Sequence, residues 1–311
     1  MSYVLIIAGV GGAPEYTQEF YQEGMRMANA AHTKYGVPDS AIVFLAENPA
    51  RDPQHIRGLS TRAGVQKAFA HIAATAKPGD LVFVLLIGHG SAQSEQSRFN
   101  LPGPDMTAAD FARLLKPLRA QRVAFVNAAS ASADFVPALS AKNRAIITAT
   151  SSVHERNETR FAAPFVDAYA GDGADADKDG RVSLLEAFTY ARREVMRDYH
   201  AGNELQTEHA MLDDNGDGKG TGTPGARTPD GGLSSRLFLG GGAAATTVAA
   251  SHDPRVAALV QHKDSLEAKI DALRRRKASM DSTAYEHAME ALLLDLATTN
   301  QAIKPDSGGV P

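Results

Sequence analysis

The sequence contains no cysteine among its 311 residues. That excludes disulfides, thiolate–metal sites and a cysteine nucleophile, and it removes any clue to redox compartment. No apolar run approaches the ~20 residues that a membrane-spanning helix requires. Basic blocks are absent as well. Lys and Arg number 32 against 36 Asp and Glu, a net charge of −4, so neither nucleic acid nor an anionic membrane is indicated as a partner. The N-terminal MSYVLIIAGVGG lacks the basic segment and cleavage site of a signal peptide and reads as a first strand. Localisation stays open, because an exported bacterial-type protein with its signal removed has the same sequence. A dinucleotide fingerprint also fails, since counting G-x-G-x-x-G from Gly9 puts Pro14 at the third glycine.

What is present is an ordinary globular composition, 43% hydrophobic and 22% charged. Short apolar runs at 3–8, 41–46, 81–87, 122–127 and 144–149 alternate with helical patterns at 15–34, 60–76, 107–117, 159–170 and 184–199. Near-continuous Val, Ile, Leu and Phe suits strands buried on both sides, so the expected class is α/β: a mostly parallel sheet of about six strands with helices on both faces. SRLFLG at 235–240 reads as a further short strand. One domain is expected over 1–240, followed by a Gly/Ala/Thr-rich linker at 241–254.

Beyond the linker, Val256, Leu259, Leu266, Ile270, Leu273 and Met280 repeat at helical spacing. So do Tyr285, Met289, Leu292, Leu293, Leu296 and Ile303 after a polar break. Residues 255–304 are expected as a helical hairpin, docked on its own domain or pairing with a second copy in a short coiled coil.

Two stretches carry chemistry. LVFVLLIGHGS (81–91) ends with His89 between glycines at the carboxyl end of a strand, where α/β proteins bind ligands. The Gly90 N–H there is a candidate oxyanion donor. RVAFVNAASAS (122–132) ends in small residues and should open beside it. DADKDGRVSLLE (175–186) fits the calcium-loop pattern. Its oxygens come from Asp175, Asp177, Asp179, the Arg181 carbonyl, Ser183 through water and Glu186, with Gly180 at the sharp turn. Ca2+ is the expected cofactor. DDNGDGKG repeats the start of the pattern at Asp213, Asn215 and Asp217, but its twelfth position is Pro224. Completion of the first site, a weak site of its own and a plain acidic turn all stay open for it.

From Tyr3 to about Tyr169 the chain resembles the legumain-like cysteine peptidases of the caspase–haemoglobinase group. VLIIAG with KYGVPDSAIVFLAENP is similar to the family's opening. KPGDLVFVLLIGHGS is similar to its catalytic His-Gly strand, and RVAFVNAASAS to its Glu-Ala-Cys nucleophile strand. RAIITATSSVHERNETRF is similar to the strand and substrate loop that follow. The resemblance implies a caspase-like three-layer sandwich, with His89 at the general-base position and Ala129 at the nucleophile's.

Asn127, Ala128 and Ala129 replace Glu-Ala-Cys, and a methyl group cannot attack a carbonyl. Gly11 and Thr17 stand where the family keeps an Asn and an Arg for catalysis and specificity. The expected function is therefore a pseudopeptidase that holds a peptide or protein in the crevice near His89 without cutting it. Alternatives are a hydrolase pairing His89 with Ser130, which sits one step off the nucleophile position and outside any G-x-S-x-G elbow. Others are an inactivated Cys→Ala form of a cysteine endopeptidase, and a scaffold that presents the C-terminal hairpin. A cysteine restored at 129 is expected to sit beside His89.

Overall fold

The computed structural model describes residues 1–240, together with 259, 262, 263, 265, 266, 269, 270, 273 and 280–303. The chain divides into two compact units, Met1–Gly242 and Ala243–Pro311.

The first unit is built on the five expected apolar runs. They form β1 (Ser2–Ala8), β2 (Ile42–Ala46), β4 (Leu81–Ile87), β8 (Arg122–Asn127) and β9 (Arg144–Thr148). Two short edge strands, β3 (Ile56–Leu59) and β10 (Met211–Asp213), make the sheet seven-stranded in the order β10-β9-β8-β4-β1-β2-β3. Every pairing is parallel except β10 on β9. IRGL and MLD are too short and too mixed to read as strands from sequence, and become so only because the sheet edge supplies their hydrogen-bond partners.

Alternate side chains of each strand feed two cores. Val4, Ile6, Phe83, Leu85 and Val126 face α1 (Pro14–Thr33), α5 (Ala162–Ala170) and α6 (Leu184–Ala201). Leu5, Ile7, Val82, Val84 and Phe125 face α2 (Arg62–Thr75), α3 (Ala108–Leu114) and α4 (Phe135–Leu139). Helix, sheet and helix thus form three layers. α1 begins at Pro14, whose missing N–H and fixed φ suit the first helical position, with Glu15 in the first turn. α2 and α3 start at the Thr61 and Thr107 caps.

The chain runs from β1 outward through β2 and β3, then returns to the other side of β1 as β4. The carboxyl ends of β1 and β4 therefore flank the point where strand order reverses, the place where open α/β sheets leave a crevice.

Two local features depart from the sequence reading. Residues 235–240 do not form a strand. They make a 3₁₀ turn at Ser234–Arg236 and a single bridge from Phe238 to Ser183, and the Leu184 N–H donates to the Leu237 carbonyl. Leu237 and Leu239 are buried in the core below. Immediately after His89, the chain folds into a hairpin, β5 (Gly90–Gln93) with β6 (Gln96–Phe99). β7 (Met106–Thr107) adds a third strand. Its turn residues Ser94 and Glu95 both have positive φ, the geometry normally announced by Asn-Gly.

In the second unit, the described residues from 259 to 273 are helical, and α7 spans Ser282–Ile303. Leu266, Ile270 and Leu273 are buried, and His262 Nε2 lies 3.2 Å from Asp295, which places the two segments side by side. The linker read at 241–254 lies outside the described residues, as does Val256. Among the described residues no helix is long and apolar enough to cross a membrane.

Candidate functional site

β4 and β8 are parallel neighbours, with Leu86 opposite Asn127, so His89 and Ala129 follow adjacent strand ends on one rim of the sheet. The two turns interlock. A Cβ on Gly90 would lie 2.0 Å from the Ser130 carbonyl oxygen and 3.2 Å from the Ala129 methyl, so only glycine fits there. The Ala129 N–H donates to Asn127 Oδ1 at 3.1 Å.

His89 is held from three sides. Its Nε2 lies 3.1 Å from the Gly11 carbonyl, which can only accept, so Nε2 carries the proton. Its ring meets Tyr16 and Phe20 of α1 edge-on, at centroid distances of 4.7 and 5.1 Å. Gly11, in turn, is fixed by Glu47, whose carboxylate accepts from the Gly11 N–H at 3.4 Å and from the Thr17 hydroxyl. The two positions where the resembled family keeps its Asn and Arg are thus packed on each other and anchored to the end of β2.

Ser130 is nearly buried. Its hydroxyl donates to the Gly90 carbonyl at 3.0 Å and accepts from the Gly90 N–H at 3.3 Å. The nucleophile candidate and the oxyanion donor therefore satisfy each other.

A cleft of about 550 Å³ opens at this rim, on the α1–α5–α6 side. Gly88, His89, Ala128 and Ser130 form one wall, and Tyr16, Glu19, Phe20 and Glu23 of α1 another. Residues 157–160, the start of α5 and the end of α6 close it. Ala129 is not part of the lining. It is wholly buried, and its methyl packs with the cluster on the opposite face of the sheet. Position 129, expected beside His89, follows the adjacent strand end on the same rim. In the turn that follows β8, Ala128 and Ser130 line the cleft instead.

The cleft is acidic, a character that no sequence motif announces. Glu19, Glu23, Glu158, Asp198 and Glu204 are among its lining residues, opposed by Arg160 and His89. Burial and the nearby charge of Glu158 raise the Glu19 carboxyl above its usual range, and burial pushes Glu23 up to about 8. Tyr16 is raised by its hydrogen bond to Glu158. Behind the wall, burial pushes Glu208 up to about 7, although it accepts from the Arg160 N–H at 2.7 Å. One signal for Glu23 was available in sequence. It lies on the apolar stripe Phe20–Gly24–Met27 of an amphipathic helix, where a carboxylate is out of place.

The 175–186 loop is preorganised. Asp175 accepts from the Asp179 and Gly180 N–H groups at 3.1 and 2.9 Å, and Asp179 accepts from the Arg181 N–H at 2.8 Å. Gly180 takes φ +82°, the left-handed region the turn demands. Oxygens of Asp175, Asp177 and Glu186 lie within 4.8 Å of one another. Burial, and then the charge of Asp177, raises Asp179. Ser183 caps α6, with Glu186 completing a capping box. The Arg181 guanidinium rests over the Phe238 ring, 3.6 Å from its centroid.

Asp213, Asn215 and Asp217 repeat the backbone pattern, with Asp213 accepting from the Gly216 and Gly218 N–H groups. That loop leans on the end of α4 through Ser140, and Asp213 and Asp217 are not among the carboxylates gathered at Asp175.

No protein-family model matches the chain, and no curated protein matches it. Among solved structures, the chain is similar to protein GSU0716 from Geobacter sulfurreducens at 12% identity. The match covers 74% of this chain and 97% of that one, with a TM-score of 0.44.

Proposed function

We propose that this chain is a non-catalytic homologue of the caspase/legumain-like peptidases, which holds an extended peptide or protein segment in the cleft beside His89 and is stabilised by calcium at 175–186. One observation carries the reading. His89 stands at the cleft in a fixed orientation, while the adjacent strand end offers it a methyl turned to the other face and a serine engaged with the Gly90 backbone. General-base chemistry needs a nucleophile within hydrogen-bond reach of the base, and the local groups are otherwise committed. The cleft, with Gly88 in its wall, and its place at the switch point suit binding of an extended backbone.

Calcium is supported by donor chemistry: hard carboxylate oxygens of Asp175, Asp177 and Glu186 on one loop, with Asp179, the Arg181 carbonyl and Ser183 completing the set. The ion would neutralise carboxylates that otherwise repel one another.

The test is fluorescence polarisation and mass-spectrometric turnover on one extended-peptide library. Binding without cleavage is expected, weakened by Ala163→Trp, which fills the cleft. Turnover abolished by Ser130→Ala would establish the serine hydrolase instead, and absence of binding removes the peptide reading.

A further inference from the structure

Resting on the peptide-binding reading above, we infer that the cleft beside His89 selects a basic side chain, a guanidinium or primary ammonium on an alkyl stem, with the buried Glu23 carboxyl as its counter-charge.

The charge balance of the wall points one way. Among the described lining residues, five carry carboxyls, and the cations opposing them are engaged. Arg160 is paired with Glu204 and stacked on Tyr199 at 4.3 Å, and His89 donates to Gly11. Glu23 supplies the independent observation. It is only 6% exposed and lines the cleft, and its Oε2 has no hydrogen-bond partner. Arg26, one turn further along α1, is paired with Asp167. A buried carboxyl without donors is costly, and such groups in native structures are normally satisfied by something that binds there.

A guanidinium or ammonium brings N–H donors and the opposite charge together, and its alkyl stem suits the adjoining Phe20 and Ala162. A bare divalent ion fits less well. The carboxylates of this cleft are not among those whose oxygens converge within 4.8 Å, and a volume of about 550 Å³ far exceeds an ion. With its pKa raised to about 8, Glu23 is mostly protonated in the free protein near neutrality and gives up that proton as the cation enters.

The experiment uses the full chain at fixed calcium concentration, with three probes: a peptide containing arginine, the same peptide with citrulline, and agmatine. Glu23→Gln is the main variant, and Glu158→Gln is a second in case the first does not fold. The arginine peptide should bind at least tenfold more tightly than the citrulline peptide. On Glu23→Gln the arginine and citrulline peptides should bind equally, with the larger loss on the arginine peptide, and agmatine should compete on wild type alone. Equal binding of both peptides overturns the basic-side-chain assignment and leaves peptide binding standing. Agmatine binding that depends on Glu23, with no peptide bound, keeps the cation site and removes the peptide reading. No binding of any probe, or displacement of agmatine by millimolar magnesium, overturns the cation site itself.

Discussion

His89 Nε2 and the Gly11 carbonyl oxygen, 3.1 Å apart, join the loop after β1 to the loop after β4 across the point where strand order reverses. This bond fixes the tautomer and the direction of the imidazole before any ligand arrives. It also places the ring against Tyr16 and Phe20, so that one wall of the cleft is rigid.

The unmodified chain should show no peptidase turnover, and Ala129→Cys alone should not create it. The Ala129 side chain lies in the opposite-face core, so a thiol there is shielded from both His89 and solvent. With no other cysteine in the chain, labelling by a thiol reagent reports this position cleanly. Folded Ala129→Cys should label orders of magnitude more slowly than the same protein in denaturant. Rapid labelling together with peptide cleavage would restore the expectation that position 129 faces His89.

Stability should fall as pH rises through neutrality. Burial raises Glu23 from 4.5 to about 8 and Glu208 from 4.5 to about 7. A carboxyl with a raised folded-state pKa keeps its proton in the folded protein where the unfolded chain has lost it. The stabilisation is therefore complete below 4.5 and is lost as pH climbs to about 8. The melting temperature should decline from about pH 5 to about pH 8. Glu23→Gln should flatten part of that slope and gain roughly 1–3 kcal/mol at the alkaline end. An unchanged slope in the variant assigns the decline to other groups.

Calcium should raise the melting temperature, and chelator should lower it, because the ion binds the folded loop. Glu186 also completes the capping box of α6, so Glu186→Ala removes about 1 kcal/mol with or without the ion. Glu186→Gln is the cleaner variant, since its amide oxygen can keep the backward hydrogen bond from Ser183 while the charge and the acceptor for the Ala176 N–H are lost. It should retain near-normal stability in chelator and lose most of the calcium-dependent shift. Magnesium should substitute poorly. A wild-type melt indifferent to calcium would reduce the loop to an acidic turn.

Gly90→Ala should destabilise by about 1–3 kcal/mol or more, since the added methyl meets the Ser130 carbonyl at 2.0 Å and the strand ends must part to admit it. Denaturant titration measures this. Gly232→Ala, where an added methyl meets nothing within 4 Å, serves as the control.

What the sequence determined by itself is the framework. VLIIA, LVFVLLI and VAFV are apolar on both faces, and a strand of that kind has no stable place except inside a covered parallel sheet. Pro14 marks a helix start by its fixed φ, and Thr61 and Thr107 by local hydrogen bonds, while the spacing of Asp175, Asp177, Asp179, Gly180 and Glu186 is a property of one turn. Tertiary structure decided the rest. IRGL and MLD became strands because a sheet edge was waiting for them, whereas SRLFLG, with its continuous apolar run, was drawn down to Ser183 and the core instead. Ala128, Ala129 and Ser130 are alike in size and indistinguishable by pattern. Only the packing of the turn after β8 against the Gly90 turn sends Ala129 to one core and its neighbours to the cleft. Glu23, Glu158 and Glu204 are far apart in the chain and carry no motif; their common charge acquires meaning because α1, the 157–160 loop and the segment after α6 converge on the same rim. Local spacing encodes what a few neighbouring residues do to one another, while the chemistry of this cleft is a sum over long-range contacts that packing alone brings together.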